Sequence, residues 1–329
     1  LDGKVIYITK DGAGAKDGTS WNNAYAGASL DHAVNEAAVS ASPNKKEVWA
    51  ASGEYLRTAT LTLARGAKLY GGFAGTEPAS SDIRDGRDYR KNETILRRDP
   101  ALPDDSQFFS MVTGGMNATS ADTRLDGITV TGGKTNHDKG AGMDNRGSSP
   151  TVINCTFSAN STTTISATDG GAGMTNMYSS PTVINCTFSA NRADSSNAYA
   201  GWLAGAMFNH SSRPIVTNCT FSANSVTSPT GGAGAIYNLS SSPIVTNCTF
   251  SANSATGSHE VGGMASNAND SRPIVTNCIF WNNGEGSEIS CIKESTVTLA
   301  NSIVKGGYST PGTATKIIDA DPKLTPYDR

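Results

Sequence analysis

Apolar and polar positions in the middle of the chain alternate in short bursts, not in helical steps. In the stretch P-I-V-T-N-C-T-F (243–250), Val245, Cys248 and Phe250 fall on one face, with Thr246 and Thr249 on the other. The burst belongs to a larger unit, S-x-P-[TI]-V-[IT]-N-C-[TI]-F-x-x-N, which is written five times, at 148–160, 179–191, 212–224, 241–253 and 271–283. The cysteines within it, Cys155, Cys186, Cys219, Cys248 and Cys278, lie 31, 33, 29 and 30 residues apart. A period of that size, built from β-prone runs, predicts a stacked array with one unit per coil. Each unit reads as three runs: G-x-[MI]-x-N (234–238 in the fourth), P-I-V-T-N (243–247) and C-T-F (248–250). Proline opens a run, where a missing N–H does no harm, and asparagine closes runs at Asn238, Asn247 and Asn253, where corners need the left-handed conformation. Three runs and three corners predict one coil of a parallel β-helix.

Equivalent residues of successive coils then stack into columns. Asn154, Asn185, Asn218, Asn247 and Asn277 form one, and Asn160, Asn191, Asn224, Asn253 and Asn283 another. Both are expected to hydrogen-bond along the axis from inside the turns. Burial there disfavours glycosylation of sequons such as Asn154-Cys155-Thr156. The five cysteines read as a buried column of inert thiols, because an in-register parallel stack does not offer disulfide geometry and a line of thiols diverges too much for a metal.

The flanks are less regular. Strands are expected at 4–9, 47–51, 59–64, 68–72 and 94–96, with an amphipathic helix near 29–40 as the cap that covers the first coil. One continuous domain is expected: cap and irregular first coils over 1–106, regular coils over 107–305 and a tail over 306–329. Ser302, in the fading copy TLANSIV, occupies the cysteine position.

Composition narrows the function. The net charge is -3 and only 17% of residues are charged, with no basic stripe, which argues against a nucleic-acid partner. No apolar run is long enough for a membrane span. The opening LDGKVIYITKDG reads as mature protein without a signal peptide.

The GGAG-[AM]-[IT]-x-N and CTFSAN pair resembles the GGA[ILV] and FxxN repeats of polymorphic outer-membrane protein passengers, within the pectate-lyase-like superfamily. The entry segments IYITKDGAGAKDGTSWNNAY, VWAASGEY, KLYGGFAGTE and NETIL resemble the lead-in of bacterial surface β-helix proteins. The resemblance implies an all-β, right-handed, single-stranded parallel β-helix with an N-terminal capping helix. It also implies a secreted or cell-surface setting and a polysaccharide, glycan or host-surface partner. The scaffold alone does not choose among adhesins, lyases and hydrolases.

Lyases and hydrolases of this superfamily need acidic and basic groups converging on one face. Only seven charged residues lie between Pro150 and Asn283, and they are scattered. The densest chemistry precedes them, in KTNHDKGAGMDNRG: Lys134, His137, Asp138, Lys139, Asp144 and Arg146, the candidate catalytic set. Asp144 and Arg146 are expected to point outward side by side, and the other reading of the cluster is a charged loop joining irregular to regular coils. No cofactor is called for, although a Ca²⁺ role of this cluster stays open; the segment DGAGAKD (11–17) has calcium-loop flavour but lacks the alternating acidic ligands of one.

A second candidate is aromatic. The column Asp144, Thr175, Phe208, Tyr237, Ser266 is expected to set Phe208 and Tyr237 side by side on the outside, with Tyr199 and Trp202 brought to that edge by the loop 192–203. Those four and Asp144 are the candidate ligand-binding residues; the alternatives are stack stabilisation or cover by the loop. Segments 161–170, 192–203, 225–231 and 254–261 are expected to form one fringe of loops. The expectation is thus a non-catalytic adhesin or carbohydrate-binding protein, with a polysaccharide lyase or glycoside hydrolase, or a spacer, as alternatives.

Overall fold

The computed structural model describes residues 4–39, 46–103, 108–114, 122–136, 139–164, 170–197, 202–257, 260–268, 270–284, 286–309 and 311–324. The strand pairings between coils are parallel, and the regular coils stack in register, as between Thr187–Ser189 and Thr220–Ser222, where Phe188 lies on Phe221; the register shifts at Trp49/Ala51 and at Val261/Met264. The stack is a parallel β-helix.

One coil contains five short strands, not three. In the fourth repeat they are Gly232–Ala233, Ile236–Leu239, Ile244–Thr246, Thr249–Ser251 and Ser254–Thr256. Ile244–Thr246 and Thr249–Ser251 belong to the largest sheet, called A here. Gly232–Ala233 and Ile236–Leu239 belong to sheet B, and Ser254–Thr256 to a narrow sheet C. Sheet C takes over the start of each expected loop: Ser161–Thr164, Arg192–Ser195 and Ser225–Thr227 pair in register. The far ends of three of these segments, at Gly170, Leu203 and Glu260, already belong to sheet B strands.

The inward positions build a continuous core. Phe157, Phe188, Phe221, Phe250 and Phe280 form a ring stack with centroids 5.0, 5.0, 4.7 and 4.3 Å apart. Val152, Val183, Val216, Val245 and Val275 run beside it, fully buried. The cysteine column is buried and its thiols are unpaired. Each Sγ donates to the carbonyl two residues back, Cys155 to Ile153 O at 3.1 Å, for example. Ser302 continues the column as expected, its hydroxyl accepting from Cys278 N at 3.1 Å.

The asparagine columns divide. Asn160, Asn191, Asn224, Asn253 and Asn283 are fully buried. Asn191 Nδ2 donates to Asn224 Oδ1 at 2.9 Å and Asn224 Nδ2 to Asn253 Oδ1 at 2.8 Å, forming the expected ladder. The column of Asn154 was expected inside and is not: Asn185, Asn218, Asn247 and Asn277 are exposed. All five carry the left-handed conformation, φ 53–56°. In that conformation the side chain turns out of the corner, so burial is no obstacle to modification of the sequons at Asn185, Asn218 and Asn247; Asn277, followed by Cys278-Ile279, is not a sequon. At the ladder corner the left-handed residue is an alanine, Ala159, Ala190, Ala223 or Ala252 (φ 52–55°), and the asparagine after it points in.

The N-terminal end is closed by α1, Leu30–Val39, whose Leu30, Ala33, Val34 and Ala37 join the main core. Their i, i+3, i+4, i+7 spacing puts them on one face. A second, unexpected helix, α2 (Ser81–Gly86), starts at Ser80, whose hydroxyl accepts from Ile83 N at 3.2 Å. At the other end, within the expected tail, Gly312–Ile318 adds one more strand, paired with Val297–Val304.

Candidate functional site

The sequence candidates separate in space. Lys134 lies on Lys134–Thr135, in sheet C, whereas Asp144 and Arg146 lie on Met143–Arg146, in sheet B. His137 and Asp138 fall outside the described residues, and Lys139 lies in the turn leading to Met143–Arg146. Asp144 and Arg146 do sit side by side, Arg146 Nε donating to Asp144 Oδ2 at 3.1 Å. Asp144 is not open to solvent, being only 6% exposed. Burial pushes its carboxyl above the usual range, against the opposing pull of Arg146 and of the Gly140 N–H. It has the character of a general acid, but the geometry shows it committed to a local ion pair.

The aromatic pair is also corrected. Phe208 and Tyr237 stack as expected, 5.9 Å apart and 13° from parallel. Both are fully buried, so neither offers a ring to a ligand. Trp202 lies over Tyr237 at 5.2 Å, and Ala204, Ala233, Val261 and Ala265 complete a satellite cluster outside the coil lumen. Apolar rings on the outer face thus recruit their own cover from the preceding loop. Tyr199, expected at the same edge, falls outside the described residues. The column continues through Ala265, not Ser266, which instead follows Asn238.

Two places the sequence reading did not single out hold cavities. One, of about 190 Å³, lies on sheet A near α2 and is lined by Lys68, Tyr70, Arg84, Asp122 and Arg124. Arg84 reaches Glu47 at 2.8 Å, and Arg84, Arg87 and Arg124 lie over the Tyr70 ring at 5.3, 5.3 and 5.9 Å. Burial, more than Glu47, pushes the Tyr70 hydroxyl up to about 12. Arg84 stands on α2 and Arg87 directly follows it, so this packing fastens the helix to the sheet.

The other is a cleft of about 770 Å³ near the C-terminal end, bordered by Trp281, Glu288, Lys305, Tyr308 and Asp319. Trp281 ends the strand Ile279–Trp281 in register with Ser251, where earlier coils carry serine. Glu288, on Ser287–Ile292, closes the asparagine ladder by accepting from Asn283 N at 3.3 Å. Lys305 Nζ donates to Asn282 Oδ1 at 2.7 Å, and Asp319 Oδ1 accepts from Gly306 N at 2.9 Å. Each charged group on the cleft therefore already has a protein partner, while Trp281 is half-buried and keeps ring surface open. The signal was present in the sequence: a tryptophan in the fifth copy where the others have serine. Among the described residues, no three His, Cys, Asp or Glu side chains gather as a metal site, and no helix is long and apolar enough to cross a membrane.

A family model described as a right-handed β-helix region matches residues 104–320. No curated protein and no solved structure matches the chain.

Proposed function

Since the chain belongs to the right-handed β-helix family, we propose that it is a non-catalytic, extracellular or cell-surface binding protein that holds a glycan in the cleft between Trp281 and Tyr308. The observation that carries this reading is the cleft itself: its volume of about 770 Å³ lies within the range of ligand sites, and aromatic side chains border it. A sugar ring places C–H groups against an aromatic face while its hydroxyls reach polar neighbours. The absence of catalysis is supported by the pairing of Asp144 with Arg146 and of Glu288 with Asn283.

The test is a glycan array with wild type and a Trp281→Ala/Tyr308→Ala variant. Binding by wild type that the double variant loses, and that Asp144→Asn keeps, supports the reading. No retained glycan would favour a spacer. Unsaturated or new reducing-end products from a polysaccharide, lost in Asp144→Asn, would favour a lyase or hydrolase.

A further inference from the structure

The outer face of sheet A carries a second pattern, which meets the cleft only at Trp281. Across the five regular coils, the outward positions of the two sheet A strands are 151, 153, 156 and 158 and their in-register equivalents through 274, 276, 279 and 281. They comprise nine threonines, four serines, six isoleucines and Trp281, without one charge. The exposed Asn154 column runs between the two strands, also uncharged.

Nothing in the described structure covers this face. Ile215, Ile244 and Ile274 form a column 44, 44 and 45% exposed, although stacked isoleucines ordinarily attract cover. None of the thirteen threonine and serine hydroxyls on the face makes a hydrogen bond to another described residue. Each is left to water. The backbone beneath is held rigid by the asparagine ladder and the phenylalanine stack.

The spacing decides what such a face suits. Successive coils repeat every 4.8 Å or so, the strand separation of a sheet. Waters linked tetrahedrally by hydrogen bonds of about 2.8 Å place second neighbours about 4.5 Å apart. Waters held by hydroxyls of adjacent coils therefore sit near the second-neighbour distance of a tetrahedral lattice, in columns fixed before any ligand arrives. Charges would bind water radially and spoil that order, and here they are missing. A polysaccharide fits less well, because no aromatic ring lies on the face before Trp281.

We propose that the threonine, serine and isoleucine face of sheet A binds ice. The rigid array presents many weak contacts at once, in columns on either side of the Asn154 corner, and adsorption orders no additional side chain of consequence, since β-branched residues are already stiff. The proposal does not rest on the cleft, and its variants leave Trp281 and Tyr308 untouched.

The experiment measures thermal hysteresis and partition into slowly growing ice for the whole chain. Wild type is expected to enter the ice and to open a gap between melting and freezing points. Thr220→Lys/Thr249→Lys is expected to lose both, and the milder single Thr246→Lys to reduce them. Thr227→Lys, exposed on sheet C, should behave as wild type. Circular dichroism melts check that each variant keeps the coil. Exclusion of wild type from ice overturns the proposal, as does full hysteresis in the folded double lysine variant. Co-sedimentation with crystalline cellulose, abolished by the same lysines while ice partition is absent, would assign the face to a polysaccharide instead.

Discussion

Two asparagines six residues apart show how little residue type says without its column. Asn224 is buried; its Nδ2 donates to Phe188 O and Asn253 Oδ1, and its Oδ1 accepts from Asn191. Asn224→Ala strands those partners in a dry interior and is expected to cost about 3 kcal/mol or more, read as a lower urea midpoint. Asn218 is exposed at φ 54°. There Asn218→Ala should cost only about 1 kcal/mol, the penalty for a Cβ in the left-handed region, and Asn218→Gly almost nothing. Equal losses at the two positions would contradict the division of the columns. Asp144 makes a pH-dependent prediction. Its folded carboxyl titrates above the ordinary value of 3.8 because it is buried, so the native state binds the proton more tightly than the unfolded chain does. The resulting penalty is absent below that value, grows as pH rises through the folded pKa and is complete above it. Asp144→Asn removes it, while Arg146, 28% exposed, keeps contact with water. The variant should therefore melt higher than wild type at pH 7, and the advantage should vanish below about pH 4; a constant difference across that range would place the effect elsewhere.

At the scale of the element, the cysteine column explains how thiols persist in a chain proposed for the cell exterior. Burial pushes the Cys186 thiol well above its usual range, which suppresses the reactive thiolate. In the native protein an aromatic disulfide reagent is expected to modify Cys291, which is partly exposed, and to leave the five column thiols intact until denaturant is added. Rapid native labelling of the column would show that the coils open far more readily than this packing implies. The column was legible in the sequence because every coil imposes the same inward geometry on Val, Cys and Phe. Sheet C was not, because its strands read KT, STTT, RADS, SVT and SAT: short outer runs, two of them carrying charges, that share no core-facing motif beyond one small or β-branched residue. The burial of Phe208 and Tyr237 was legible only as an alternative to ligand binding, since their cover, Trp202, comes from a segment that occurs once. Trp281 shows the reverse case: its departure from the serine column was visible, but only the fold reveals that the departure lines a cleft.

At the scale of the molecule, stability is a chain of nearest-neighbour interfaces, so the two ends matter more than they do in a globular domain. The N-terminal end is sealed: α1 packs Leu30 and Val34 into the common core, and α2 is fastened by Arg84 to Glu47. At the opposite end Gly312–Ile318 pairs, among the described residues, only with Val297–Val304, and its residues are nearly all exposed. Among the described strands it should open first, with Val297–Val304 next, because losing an end rung breaks one interface whereas opening a central coil breaks two. Hydrogen exchange is expected to rank amide protection accordingly, lowest in 312–318, intermediate in 297–304 and highest in 215–251. Adding Asn224→Ala separates this picture from uniform cooperativity. In a nearest-neighbour stack the lost ladder contacts should speed exchange in the coils on either side of 224 while leaving the strand Glu47–Ala51 near its original protection. Equal acceleration from 47 to 318 would show instead that the β-helix opens as a single unit, with end and centre indistinguishable.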